Sequence, residues 1–270
     1  MVPNDQPVEL AGVAETLLMA LYNRGSEAQR PNGLIDDPMA AGVLQRTPYP
    51  FRERFGRPDL MHPLRSLLFD AEVRRFLAEH PDGTVVALGE GLETQFWRVD
   101  DGRFRWLTVD LPEVIDLRGR LLPPDPRIRT WAGDARDPSW MEDIDPSRGV
   151  LVLAQGLLMY FREQDVFSLI RTCAERFPGG SMVFDTNPVW AQTEKGFRQS
   201  SSYTSPPMPW GMGSNQIGEI GAVDPAIATV TPLWLPRGRG VIFGLVYPLL
   251  RRVPGARAML PMTVRVQFRG

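Results

Sequence analysis

Val85-Val86-Ala87-Leu88-Gly89-Glu90-Gly91-Leu92-Glu93-Thr94 is the stretch whose reading decides the fold. Four consecutive apolar residues suit a strand covered on both faces, and the glycines after them mark a tight turn into a helix expected to begin at Leu92. Glycine lets the backbone approach a ligand closely, and a helix start offers free N–H groups. Asp110 closes the next strand candidate, 105–110, and lies 19 residues beyond Gly91. A carboxylate so placed can accept from both hydroxyls of a ribose. The pattern predicts a nucleoside-containing cofactor.

Working outward, further strand candidates fall at 127–133, 149–155 and 181–186, with 150–154 again a continuous apolar run. Helical patterns fill the gaps, one opening at Pro112 and one over 163–177. Repeated strand-then-helix units predict an α/β, doubly wound parallel sheet with right-handed crossovers. Residues 9–79 read as several helices, the last an amphipathic one around 60–79. After 187 the alternation stops: 188–227 is rich in Ser, Pro, Met, Gly and aromatics, as in a lid or binding insertion. Two more strand candidates follow at 228–235 and 263–269. The whole is expected to be one domain, with a helical cap over 1–80, a cofactor-binding core over 81–187, the insertion, and C-terminal strands over 228–270.

At 270 residues, 43% hydrophobic and 23% charged, the chain has the composition of a globular protein with a full core. A formal net charge of −2 with interspersed signs supplies no overall field for nucleic acid or an anionic membrane, so neither is expected as a partner. The lone Cys173 lies on an apolar helical stripe and reads as core. The opening residues lack a basic segment followed by an apolar one, and the apolar runs near 150–161 and 241–250 are too short to span a bilayer. A cytoplasmic protein is therefore expected.

Dinucleotide-binding enzymes share the glycine turn and the acidic residue, so three details bear on the choice of cofactor. Thr94 replaces the third glycine of a dinucleotide fingerprint. Asp134, after the third strand, could accept from an adenine amino group. The fourth strand opens into Gln155-Gly156-Leu157-Leu158-Met159-Tyr160-Phe161, an apolar and aromatic mouth with one amide. Together these favour S-adenosylmethionine over a nicotinamide cofactor.

The chain resembles the leucine carboxyl methyltransferase family, and within it the bacterial and fungal small-molecule O-methyltransferases such as those of tetracenomycin-type polyketide pathways. The resemblance is carried in order by 15–18 through Asp36-Asp37-Pro38, by Arg65-Ser66-Leu67-Leu68-Phe69-Asp70, by 86–98, by 109–114 and by 155–160. It implies a seven-stranded, mostly parallel class I methyltransferase sheet whose last two strands form an antiparallel hairpin. It further implies S-adenosyl-L-methionine as cofactor, S-adenosyl-L-homocysteine as product, and no metal.

By the same resemblance Arg65 would pair with the methionyl carboxylate, Gly89 and Gly91 would pass under the methionyl group, Asp110 and Leu111 would hold the ribose, and Asp134 and Ala135 the adenine. Two positions depart from the family: Gln155 stands where an acid is usual, and Ala87 where a polar residue is. Glu90 is expected to restore a negative charge near the cationic end of the cofactor. Gln155, Tyr160 and His62 are the candidate catalytic residues, His62 as a base. The acceptor pocket is expected from Tyr22, Met159, Tyr160, Tyr203, Met208, Trp210 and Met212. With only two histidines, His62 and a helix-end His80, the chain is short of bases. That tilts the expected acceptor toward a small aromatic or polyketide-like carboxylic acid, ionised without help, over a phenol. A cofactor-binding protein with altered or lost transfer activity, and a homodimer, stay open.

Overall fold

The computed structural model describes residues 12–193 and 202–270. Seven strands form one sheet: β1 (Thr84–Leu88), β2 (Arg105–Asp110), β3 (Ile128–Ala132), β4 (Val150–Ala154), β5 (Ser181–Thr186), β6 (Ile227–Leu233) and β7 (Met262–Phe268). Their order is β3-β2-β1-β4-β5-β7-β6, parallel through β5, with β7 antiparallel to both neighbours. This is the class I methyltransferase sheet that the resemblance implies.

The continuous apolar runs are explained by helices on both faces. Val85, Ala87, Leu151, Leu153 and Val183 pack on one face beneath Phe69, Val73, Phe76 and Leu77 of α4 (Met61–Glu79). Val86, Leu88, Val152, Ala154, Met182 and Phe184 pack on the other beneath Val166, Ile170 and Cys173 of α7 (Glu163–Arg176). Cys173 is fully buried, as expected of a core residue. At the rim of the sheet α1 (Thr16–Ala28), α2 (Pro38–Arg46) and α3 (Phe51–Phe55) close over Leu92 and over α6 (Pro112–Leu121). Pro112 sits in the first turn of α6, where its missing N–H costs nothing.

Two local expectations change. The helix after the glycine turn, α5 (Gln95–Val99), starts at Gln95 and not at Leu92. Residues 90–94 stay a turn because Gly91 N donates to the Asp110 carboxylate and Thr94 N to that of Glu93, which replace helical bonds. The C-terminal pair is not a tight hairpin. Strand β7 lies between β5 and β6, and residues 234–261 make a long excursion that includes helical turns at Ile242–Val246, Tyr247–Leu250 and Pro254–Arg257. Of the expected insertion 188–227, residues 194–201 lie outside the described residues. The rest holds a short turn at Val189–Ala191, a bridge between Thr193 and Met208, and a helical turn at Gly218–Gly221.

Candidate active site

The chain runs from β1 outward to β3, returns, and continues through β4 and β5 on the other side. At that reversal the loops after β1 and β4 diverge and leave a crevice. It has two lobes. A lobe of about 340 Å³ lies beyond β2 and β3, lined by Asp110, Leu111, Gly133, Asp134, Ala135 and Phe161. A larger one of about 540 Å³ lies beyond β4 and β5, lined by His62, Arg65, Gln155, Met159, Asp185 and Met208 among others. Gly89, Gly91, Gly156 and Tyr160 border both lobes and form the neck.

The neck depends on its glycines. Gly89 and Gly91 have φ of 58° and 57°, the left-handed region that side chains avoid. A Cβ on Gly91 would stand 2.9 Å from Cβ of Leu17, and one on Gly156 would stand 2.8 Å from the Arg65 guanidinium. Asp110 ties this loop to β2: Oδ2 accepts from Gly91 N at 2.7 Å and Oδ1 from Leu111 N at 2.8 Å. Burial pushes its carboxyl above the usual range, and the two N–H donors pull against that shift. The Asp134 carboxylate is held by Arg136, which in turn lies over the Phe161 ring.

Beneath the larger lobe lies a buried charged cluster that joins the N-terminal helices to the turn after β1. Glu93 accepts from Arg98 at 2.7 Å, Ser66 at 2.9 Å, Arg24 at 3.1 Å and Gln155 at 3.1 Å. Arg98 also reaches Asp37 at 2.7 Å and Asp70 at 2.8 Å. Burial alone would raise the Glu93 carboxyl, yet Arg24 and Arg98 outweigh it and hold the group far below the usual carboxylate range. Arg65 pairs with Asp185 at 2.9 Å, and Gly156 N donates to the other oxygen of Asp185.

Several expected roles need correction. Glu90 lines the crevice, but its carboxylate is turned inward, where it accepts from Thr108 and Trp106 and pairs with Arg118 at 2.9 Å. The acid that touches Gln155 is Glu93. Tyr22 stacks on Phe51, 5.5 Å between centroids, and its hydroxyl donates to Gly56 O. Tyr203 is buried edge-on against Phe55 beneath Arg54, and Trp210 is buried 6.1 Å from Phe184. None of these three lines the crevice: large rings at cap and sheet junctions are used as packing. Met212 is likewise buried in the sheet core. Met159, Tyr160 and Met208 do line it.

His62 is placed as a donor. Asn23 Oδ1 accepts from Asp59 N, which orients the Asn23 amide so that Nδ2 donates to His62 Nδ1 at 2.8 Å. The ring proton is thereby assigned to Nε2, and burial pushes the imidazole pKa down. Tyr160 is half-buried, and its desolvation pushes the phenol up.

Sequence reasoning missed Glu93, Asp185, Arg24 and the exposed Trp190, all of which line the crevice. Asp185 carried a usable signal, since it nears the end of the fifth strand much as Asp110 ends the second. Arg24 carried none, being one arginine in an otherwise ordinary helix.

The leucine carboxyl methyltransferase family model matches residues 17–174. Tetracenomycin polyketide synthesis O-methyltransferase TcmP of Streptomyces glaucescens is 32% identical over 212 residues, 77% of this chain and 78% of that protein. The S-adenosyl-L-methionine-dependent methyltransferase dpfgK of Gibberella zeae is 30% identical over 63% of each chain. The solved structure of N-methyltransferase NodS from Bradyrhizobium japonicum aligns with 78% of this chain and 100% of that one, at a TM-score of 0.46 and 12% identity.

Proposed function

The chain belongs to the leucine carboxyl methyltransferase family, and from that premise we propose that it moves a methyl group from S-adenosylmethionine to the carboxylate of a small aromatic or polyketide-like acid. As a member it is an S-adenosylmethionine-dependent methyltransferase.

The residues present suit that cofactor. Two buried polar atoms on the larger lobe have no partner: Arg65 Nε, a donor, and Gln155 Oε1, an acceptor. A methionyl group brings the matching pair, a carboxylate for the guanidinium and an ammonium for the amide oxygen. Asp110 and Leu111 would face the ribose across the neck, and Asp134 and Ala135 the adenine in the smaller lobe. Arg65, Gly89, Gly91 and Gln155 would hold the methionyl end. When bound, S-adenosylmethionine supplies an electrophilic methyl group on a sulfonium. The chain's part is alignment and exclusion of water, and well-oriented systems gain on the order of 7–11 kcal/mol from alignment.

One observation supports a carboxylate acceptor over a phenol: the titratable groups facing the larger lobe are already committed. Glu93 and Asp185 are each paired with arginine, and His62 has its Nδ1 lone pair engaged by Asn23. A phenol with pKa near 10 needs a free base, and a carboxylate with pKa near 4 does not. His62, with its proton on Nε2, would instead donate to the acceptor. Met159, Tyr160 and Met208 would form the apolar wall against an aromatic ring.

Methyl transfer to a panel of benzoic acids and phenols tests the reading. Ester products and a rate that stays flat between about pH 6 and 9 are expected, because the acceptor is ionised throughout. Ether products, with a rate that climbs through that range and is abolished in His62→Ala without loss of cofactor binding, would transfer the assignment to a phenol.

A further inference from the structure

Residues 225–270 carry seven arginines and no Asp, Glu, Lys or His. The chain-wide net charge of −2 conceals this segment. Its centre is the excursion between β6 and β7, which exposes Val241, Ile242, Leu245, Val246, Leu249, Leu250 and Val253. The first six recur in adjacent pairs every four residues along consecutive helical turns, so they share one face, and Val253 follows in extended backbone. Ile242 is 67% exposed. The opposite face is anchored: Tyr247 is buried against Leu64 and Leu235, and its hydroxyl donates to Pro261 O. Arg239 clamps the segment to Glu27 and Arg237 bonds Gly244 O. The exposed apolar face is therefore a held platform.

We propose that this face docks on an anionic bilayer surface, its aliphatic side chains entering the headgroup boundary and its arginines meeting lipid phosphates. Charge complementarity selects that occupant. Arg252 and Arg257 are exposed, and neither has a carboxylate partner among the described residues. A second copy seated through the same face would bring equivalent arginines together without acids to offset them. The exposed apolar side chains of 241–253 are all Val, Ile or Leu, without the exposed aromatic ring that commonly anchors a shaped protein partner. Aliphatic tips with flanking arginine suit a fluid apolar phase under phosphates. The ends of the excursion, Leu235 and Pro261, line the larger lobe of the crevice. Exposed Trp190, also on that lining, donates to Met259 O beside them. A tryptophan half in water is suited to the same boundary. Among the described residues no helix is long and apolar enough to cross a membrane, so the contact is peripheral.

Flotation of the full chain with phosphatidylcholine vesicles, alone or with about one third phosphatidylglycerol, tests this. Binding to the anionic vesicles at least tenfold tighter than to the neutral ones is expected. It should weaken as salt is raised from about 0.1 to 1 M, where the screening length falls from about 10 to 3 Å. Ile242→Glu/Leu245→Glu and Arg252→Glu/Arg257→Glu should each lower binding at least tenfold with melting temperature unchanged. Equal uptake by both vesicle types, no uptake, or full binding by either double variant would overturn the proposal. So would a concentration-dependent dimer that Leu245→Glu makes monomeric, since the face would then belong to a second copy.

Discussion

Two arginine-rich regions of this molecule handle charge in opposite ways. Around the turn after β1, Arg24 and Arg98 are buried against Asp37, Asp70 and Glu93. In the excursion before β7, Arg252 and Arg257 stand in solvent with no acid near them. A buried ion costs several kcal/mol to desolvate and is retained where close ion pairs and hydrogen bonds offset that cost, so the first cluster dictates where three N-terminal helices and the glycine turn must lie. Exposed arginine carries no such penalty and constrains nothing within the fold. The first region is architecture for the crevice; the second remains available to a ligand outside the chain.

The contrast can be broken hardest at Arg98. Arg98→Met leaves Asp37 and Glu93 with Arg24 and leaves Asp70 with only the Gln95 amide, and removal of one partner from a buried cluster costs about 3–5 kcal/mol. A melting temperature lower by roughly 10 °C is expected for a chain of this size. A fall no larger than that of a surface variant would show that the cluster does not hold the cap.

Acid sharpens the comparison at smaller amplitude. Glu93 is held below its ordinary value of 4.5 in the fold, so its stabilisation is complete above the unfolded value and is lost as pH falls beneath it. Melting temperature should therefore drop steeply below about pH 4.5 in the native chain and less steeply in Glu93→Gln. Parallel curves would remove Glu93 as the titrating group. The smallest effect is expected in the excursion: Arg252→Gln should change stability by no more than about 0.5 kcal/mol, as judged by urea unfolding. A larger loss would mean that this arginine has a structural partner.

What was legible in the sequence follows the same division. Val85-Val86-Ala87-Leu88 and Val150-Leu151-Val152-Leu153-Ala154 announce central strands because both faces are buried, which needs only local composition. Gly89, Gly91 and Asp110 are legible because a left-handed turn and a strand-end carboxylate each leave a short-range mark. Glu93 was passed over beside Glu90, because two acids three residues apart look alike until the turn decides which faces Arg118 and which Arg98. Tyr22, Tyr203 and Trp210 were misplaced for a related reason, since an aromatic ring suits a pocket wall and a packed junction equally well.

By itself the sequence determined the parallel strands, the glycine turn after β1 and the acid at the end of β2, all of which leave local marks in apolar runs, strand-then-helix alternation and backbone sterics. Only the tertiary structure decided which charges neutralise one another, which tautomer His62 adopts, and which apolar side chains between β6 and β7 have no cover. Those depend on pairings across the fold, such as Arg24 with Glu93 and Arg65 with Asp185, whose distances no local pattern encodes.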